Sequence, residues 1–231
     1  MRPLQGRLLL EAWEMGSGEP ALGRPLALLE AAGAGGDLED LNIVERNARL
    51  FSLRQMSFGD VLRGLLPCEA CGTRMEFEVS IGAILGAMRE PCDAEWSAAG
   101  WSFRMRPVTT RDLAGVATAL DARHLLLELC TKVNAENAAA ALAACEAEAV
   151  QHFTRLNCDA ETRFSLCCPA CGKNVDVDLD IGRFLWMEVR HAALALLRDV
   201  HELASAYGWR EDEILTMNSA RRAMYLGMVR Q

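Results

Sequence analysis

Two copies of one short motif, 100 residues apart, constrain this chain more than any other feature of it. Cys68-Glu69-Ala70-Cys71-Gly72 and Cys168-Pro169-Ala170-Cys171-Gly172 share the pattern Cys-x-x-Cys-Gly. Two cysteines separated by two residues and followed by glycine form a tight turn. Backbone amides there point at the sulfurs, and the glycine relieves the steric cost of a positive φ. The match continues downstream at the same offset: Glu76 with Asp176, Phe77 with Val177, Glu78 with Asp178, Val79 with Leu179, Ile81-Gly82 with Ile181-Gly182, and Leu85 with Leu185. Cysteine turn, alternating strand, Ile-Gly step and helix start all recur. Upstream, Ala48-Arg49-Leu50-Phe51 weakly echoes Ala122-Arg123-His124-Leu125. An ancient duplication accounts for the pattern, and two halves with one knuckle each bring four cysteines together around a pseudo-twofold axis.

Zinc takes four tetrahedral thiolate or imidazole ligands, so Cys68, Cys71, Cys168 and Cys171 are expected to hold one structural zinc ion per chain. Thioredoxin-like redox chemistry also uses Cys-x-x-Cys, but at the start of a helix after a strand, whereas strands follow both motifs here. Buried structural cysteines would not explain the repeated spacing. A disulfide framework would be denser and would accompany a secretory leader. Cys167 adjoins the second motif but its counterpart is Pro67, so it is left outside the site, as is Cys92. Cys130 and Cys145 fall within helical patterns and read as small buried apolar residues.

Catalytic zinc keeps an open coordination position, which four cysteines would close. The histidines His124, His152, His191 and His201 are scattered, and the last two lie too far apart for an i, i+4 ligand pair. No Ser-His-Asp arrangement is apparent. The run Gly33-Ala34-Gly35-Gly36 lacks a lysine and a preceding strand, so it reads as a connector and not a phosphate loop. A non-enzymatic protein with no small-molecule substrate is expected.

The periodicities predict an α+β, mainly helical fold with a small antiparallel sheet and two zinc knuckles forming one four-cysteine site between two pseudo-repeats. Helices are expected over residues 4–13 and 22–32, in a region beginning at Asp37 with Val44, Ala48, Phe51 and Met56 on one face, and over 58–66. Period-2 alternation predicts strands over 75–81, 101–106, 163–166 and 175–181. Residues 111–153 read as helical. A long helix from Phe184 should end near Gly208, followed by a short helix over 211–217. A final helix capped by Asn218 or Ser219 should carry Ala223, Leu226 and Val229 on one face. The 231 residues are 51% hydrophobic, enough for a core without disulfides. A single domain over residues 1–231 is expected: an N-terminal helical segment 1–36, a first repeat 37–107 with its knuckle at 68–72, a second repeat 108–182 with its knuckle at 168–172, and C-terminal helices 183–231.

The net charge of −8 and the lack of a basic stripe argue against nucleic-acid binding, which leaves a zinc-ribbon nucleic-acid accessory protein as the alternative of another class. No run is long and apolar enough to cross a membrane. Glu11 and Glu14 follow Leu8-Leu9-Leu10 at once, which argues against a signal peptide and makes a cytoplasmic location the expectation.

Two further segments carry a resemblance. One is Leu9-Leu10-Glu11-Ala12-Trp13-Glu14 with Arg24-Pro25-Leu26-Ala27-Leu28-Leu29-Glu30-Ala31-Ala32 and Glu45-Arg46-Asn47-Ala48-Arg49-Leu50. The other is Phe184-Leu185-Trp186-Met187-Glu188, Val200-His201-Glu202-Leu203-Ala204, Tyr207-Gly208-Trp209, Glu213-Ile214-Leu215 and Arg221-Arg222-Ala223-Met224-Tyr225-Leu226. With the two knuckles, these resemble the phage-baseplate-type proteins of contractile tails and contractile injection systems. The resemblance is weakest over residues 89–157, and the first knuckle has Glu69 where the family often has proline. It implies a structural or assembly role at the baseplate without enzymatic activity. The implied partners are other baseplate or tail proteins, and incorporation into a phage-like particle or service as a transient assembly chaperone are both consistent with it. Trp186, Tyr207, Trp209, Arg221, Arg222 and Tyr225 are the aromatic and arginine side chains of the kind that anchor interfaces.

Overall fold

A computed structural model describes residues 1–230. The fold is α+β, with eleven α-helices and three small antiparallel sheets among the described residues. The chain divides into two compact units. One comprises Met1–Gly35, Leu53–Gly59 and the chain from Ile181 onward; the other comprises Gly36–Ser52 and Asp60–Asp180.

The first unit is helical. It contains α1 (Arg7–Ser17), α2 (Arg24–Ala31), the last turns of α3 (Ile43–Phe58), and the C-terminal helices described below. Pro25 occupies the first turn of α2, where its missing N–H costs nothing. Helix α9 (Ile181–Tyr207) is the element on which the others pack, burying Leu185, Val189, Ala193, Leu196 and Leu203. These positions step by three, four and seven residues, which keeps them on one stripe. The helix ends where Gly208 takes φ 68°, as its sequence foretells, and the Gly208 amide bonds to the Ala204 carbonyl at 2.9 Å. Helix α10 (Glu211–Thr216) follows, then α11 (Ser219–Val229), whose first turn is capped by the Asn218 side chain accepting from the Arg221 amide at 2.8 Å. Of the face expected on α11, Leu226 is buried whereas Val229 is exposed.

Two contacts fix helix packing in this unit. The Trp186 ring lies so close to α1 that a Cβ on Gly16 would come within 2.4 Å of it. The Arg54 guanidinium, its side chain 5% exposed, grips Glu188 through Nε and Nη2 at 2.9 and 2.8 Å and donates from Nη1 to the Gly59 carbonyl. A buried cation is tolerated only when its donors are matched in this way.

The second unit carries the sheets. Strands β1 (Val61–Pro67) and β2 (Arg74–Ser80) form a hairpin that leads into α4 (Ile81–Ala87). A three-stranded antiparallel sheet follows, built from β3 (Ala94–Ala98), β4 (Trp101–Met105) and β5 (Thr131–Val133), in that order. Helices α5 (Thr110–Val116) and α6 (Ala122–Cys130) lie between β4 and β5; α7 (Ala138–Ala144) and α8 (Glu146–Leu156) come after. A second hairpin, β6 (Thr162–Cys167) with β7 (Asn174–Leu179), completes the unit. Phe103, Met105, Leu127, Leu142 and Ala149 build one core, and Cys130 and Cys145 are buried within it as small apolar residues. Trp96 stacks between Phe103 and His152, at centroid distances of 4.9 and 4.3 Å.

The structure departs from the sequence reading in three places. Residues 61–67, expected as part of a helix, are strand β1. Gly59 takes φ 92° and stops α3, and the following apolar run pairs with β2 as a strand. Its Leu62, Gly64 and Leu66 alternate with the exposed Val61, Arg63 and Leu65. Strand β3 was not anticipated, and β5 interrupts the helical stretch read over 111–153.

The turn between β4 and α5 is held electrostatically. Arg106 donates through both Nη atoms to Asp112, at 2.6 and 2.8 Å, while Asp112 forms a capping box with Thr109. The Arg106 hydrogen bonds, aided by the Thr109 amide and hydroxyl, outweigh desolvation and hold the Asp112 carboxyl down to about 2. The stabilisation this gives is present above the ordinary carboxylate range and is lost as pH falls through about 2. Asp112→Asn should therefore cost about 1–2 kcal/mol at pH 7, and the denaturation midpoints of variant and parent should converge as the medium is acidified through that value. In the helical unit, Gly16→Ala should destabilise by about 1–3 kcal/mol through overpacking against Trp186, although alanine for glycine inside a helix ordinarily stabilises by about 1 kcal/mol. The sign of the change in urea midpoint decides between the two effects.

Candidate metal centre

Each hairpin turns through its cysteines by the same hydrogen bonds. In the first, the Cys68 amide donates to the Thr73 carbonyl at 2.8 Å and the Gly72 amide to the Cys68 carbonyl at 2.7 Å. In the second, Cys168 donates to Lys173 at 2.8 Å and Gly172 to Cys168 at 2.9 Å. Gly72 and Gly172 take φ 73° and 72°, a conformation any side chain would strain. The strand registers agree as well. Pro67 opposes Arg74 as Cys167 opposes Asn174, and Leu65 opposes Glu76 as Ser165 opposes Asp176.

The correspondence reaches the side chains. Arg63 pairs with Glu78 at 2.6 Å and Arg163 with Asp178 at 2.7 Å, each across its own hairpin. These arginines lie upstream of the stretch matched by sequence. The identity of Arg63 with Arg163 and of Leu66 with Leu166 at the same offset was the signal that could have extended the match. The helix entering the second hairpin is α8, as α3 precedes the first; the segment Ala122–Leu125 that echoes Ala48–Phe51 lies instead in α6.

The two turns meet. The sulfurs of Cys68, Cys71, Cys168 and Cys171 all lie within 4.8 Å of one another. Cys68 Sγ is 3.7 Å from Cys171 Sγ, and Cys71 Sγ is 3.7 Å from Cys168 Sγ. A disulfide sulfur pair is about 2.05 Å apart, so these are free thiols. A zinc ion bonded to four thiolates at about 2.3 Å spaces them by about 3.8 Å along each edge of the tetrahedron. Two of the four cross-hairpin edges already have that length. Cys68 and Cys168 are buried and Cys71 and Cys171 exposed, so each hairpin contributes one inner and one outer sulfur. Met75 is buried beside Cys68 and Cys168, with Leu66 and Val175 packed against them, which gives the inner side an apolar floor.

The electrostatics of the cluster are compatible with a cation. Hydrogen bonding from the Thr73 hydroxyl and amide pulls the Cys71 thiol down to about 6. The Lys173 amide also favours a Cys171 thiolate, but desolvation and the three neighbouring sulfurs overcome it and push Cys171 up to about 12. Four sulfurs this close cannot all ionise without a countercharge, and a divalent metal supplies it. The donor set and spacing therefore fit a metal ion bound by four thiolates. Thr73 was not singled out from sequence. Its role depends on a side-chain contact inside the turn that the motif pattern does not encode.

Cys92, Cys158 and Cys167 are exposed and outside the cluster. Among the described residues no other group of three or more cysteine, histidine or carboxylate side chains converges in this way. His124 faces Glu128 on α6 at 3.5 Å, and His152 stacks on Trp96.

The six terminal anchors are distributed differently. Trp186 is buried, with the Arg24 guanidinium 5.2 Å over its ring. Tyr207 and Trp209 stack at 4.5 Å, and Tyr225 meets both edge-on at 5.8 and 4.8 Å. Arg221 is exposed and lies 5.7 Å over Tyr225, while Arg222, its side chain 12% exposed, faces Asp199 at 3.6 Å. Tyr207 and Arg221 are thus the two of the six that present themselves to solvent.

No helix among the described residues is long and apolar enough to cross a membrane. Comparison of the chain with protein-family models, with curated proteins and with solved structures gives no match.

Purified protein should contain one metal ion per chain, measured by elemental analysis. Cys168→Ser should lose it and melt at a markedly lower temperature, because metal binding to a folded site is folding free energy. Cys167→Ser should retain both metal and melting temperature. Unchanged melting in excess chelator, with no metal in the isolated protein, would count decisively against the site.

Proposed function

We propose that this chain is a non-enzymatic structural or assembly protein of the baseplate of a phage-tail-like contractile injection system, held together by one structural zinc ion on Cys68, Cys71, Cys168 and Cys171. The observation that carries the metal half of this reading is the pair of 3.7 Å cross-hairpin sulfur contacts, close to the edge of a tetrahedral thiolate site. Four thiolates fill the tetrahedron and leave no position for a substrate or an activated water, which favours a structural over a catalytic ion. Zinc and iron both accept four thiolates. Zinc is colourless there and ferric iron strongly coloured, so an absorption spectrum beside the elemental analysis separates them.

The matching registers, turn hydrogen bonds and arginine–carboxylate pairs at one offset support descent of the two hairpins from one duplicated unit. In this reading the ion is a staple between the two copies. It joins backbone segments about 100 residues apart, and closing a loop of that length restricts the unfolded chain substantially.

The baseplate half rests on the resemblance of the two terminal runs, whose residues, apart from Glu45–Leu50, belong to the helical unit. A part in a large assembly must present rigid surfaces to neighbours, and Tyr207 and Arg221 are exposed side chains of the type that anchor such contacts. The net charge of −8 disfavours a nucleic-acid partner.

Quantitative mass spectrometry of intact contractile particles from the source organism tests this half. A fixed ratio of this chain to sheath and baseplate proteins is the expected result for a structural component. Particles that lack the chain but assemble only when it is expressed identify a transient assembly chaperone. Particles that lack it and assemble without it overturn the baseplate reading and leave the metal-stapled scaffold.

A further inference from the structure

The arrangement of the four sulfurs, buried against exposed, determines how the site meets an oxidant. Each 3.7 Å pair joins one exposed sulfur to one buried sulfur of the opposite hairpin: exposed Cys171 with buried Cys68, and exposed Cys71 with buried Cys168. Attack from solvent therefore begins at Cys71 or Cys171. The inner sulfurs, among Met75, Leu66 and Val175, are shielded from a dissolved reagent but remain within reach of an oxidised neighbour.

We propose that this cluster is an oxidative modification site for hydroperoxides, which convert it from a metal staple into a covalent one by forming the cross-hairpin disulfides Cys68–Cys171 and Cys71–Cys168. The proposal rests on the reading of these four cysteines as one metal site. In the first step an exposed thiolate attacks a peroxide oxygen. The O–O bond breaks, the departing oxygen takes a proton and leaves as water from hydrogen peroxide or as an alcohol from an organic hydroperoxide, and the sulfur becomes a sulfenic acid. In the second step the buried thiolate of the opposite hairpin attacks that sulfur. The S–S bond forms, the S–O bond breaks, and the hydroxide that leaves is protonated to water. Each disulfide consumes one hydrogen peroxide and two protons, the two sulfurs losing the two electrons that peroxide gains. Two rounds use all four thiolates, so the metal leaves as its hydrated dication.

The pairing is the distinctive part. Oxidation within each Cys-x-x-Cys turn, giving Cys68–Cys71 and Cys168–Cys171, would also release the metal but would unfasten the hairpins from each other. Cross-hairpin pairing keeps segments 100 residues apart tied together after the metal has gone. The neighbouring Cys167 does not join. Its Sγ lies against the Gly172 carbonyl at 3.6 Å, outside the four-sulfur group. The scaffold so described holds its geometry both in a reducing compartment, through the ion, and in an oxidising one, through sulfur bonds.

The test treats metal-loaded full-length protein with stoichiometric hydrogen peroxide. Metal release is followed with a chromogenic chelator and the disulfides are mapped by non-reducing peptide mass spectrometry. The expected result is loss of the single ion, a fall in free thiols from nine to five, and linked peptides joining Cys68 to Cys171 and Cys71 to Cys168. Cys167→Ser should give the same map. Melting of the oxidised protein should stay above that of reduced, chelator-stripped protein. Disulfides within the turns, any disulfide through Cys167, or irreversible sulfinic acids in place of disulfides would each overturn the proposal. If the isolated protein holds no metal, the structural-zinc reading fails by itself, and the disulfide map of the reduced, metal-free chain still decides the pairing.

Discussion

The sheet-bearing unit brings four sulfurs into one small space. The approach is unfavourable without a cation, because ionised thiolates repel and un-ionised thiols bond one another weakly. The Thr73 hydrogen bonds pull the Cys71 thiol down, while desolvation and the neighbouring sulfurs push Cys171 up. A two-stranded hairpin is marginal by itself, since one strand pair cannot bury enough surface to offset its ordering entropy. The side chains on the inner faces of both hairpins bear this out: Leu62 and Met75 are buried, but Leu66, Phe77, Phe164, Val175 and Val177 are only half-buried. An ion shared between the turns, as proposed above, would supply what these faces lack in apolar area, the role metals take in small folds whose cores are insufficient.

The hairpins are alike but not identical, and the difference is complementary. Gly64 opposes Phe77 in the first hairpin, and a Cβ at Gly64 would lie 2.2 Å from the Phe77 ring. In the second, Phe164 stands at the position of Gly64 and opposes Val177, at the position of Phe77. The two phenylalanines, one from each hairpin, then meet at 5.1 Å and 57°. A symmetric pair with phenylalanine at all four positions would overfill this space, and one with glycine and valine throughout would leave it empty. In the proposed duplication, the shared backbone would be the inheritance and these facing residues the divergence.

How much of this was legible in the sequence follows from the range of each interaction. The cysteine turns, the alternating strands after them, the left-handed end of α9 at Gly208 and the Asn218 cap are local, and residue type at fixed spacing encodes them. Strand β1 was misread because Val61-Leu62 and Leu65-Leu66 present adjacent apolar residues, a pattern that fits a short helix as well as a strand. Its identity is fixed by pairing with β2, which composition does not reveal. Long-range contacts were out of reach. Nothing near Arg54 announces Glu188, 134 residues away, and the aromatic terminus did not disclose that Trp186 faces inward while Tyr207 faces out. The site survived as a sequence signal because its two halves are each local and are marked by repetition. Their meeting was inferred from ligand number, not from any pattern joining residue 68 to residue 171.

The division of labour between the units follows from the same physics. The helical unit has its own apolar spine in α9, with Leu185, Val189, Ala193 and Leu203 at or near zero exposure, and a matched buried ion pair between Arg54 and Glu188. The four cysteines lie at the turns of the two hairpins, where their sulfurs come within 4.8 Å of one another. Tyr207 and Arg221, the exposed members of the terminal aromatic and arginine set, belong to the helical unit, and the four cysteines belong to the other.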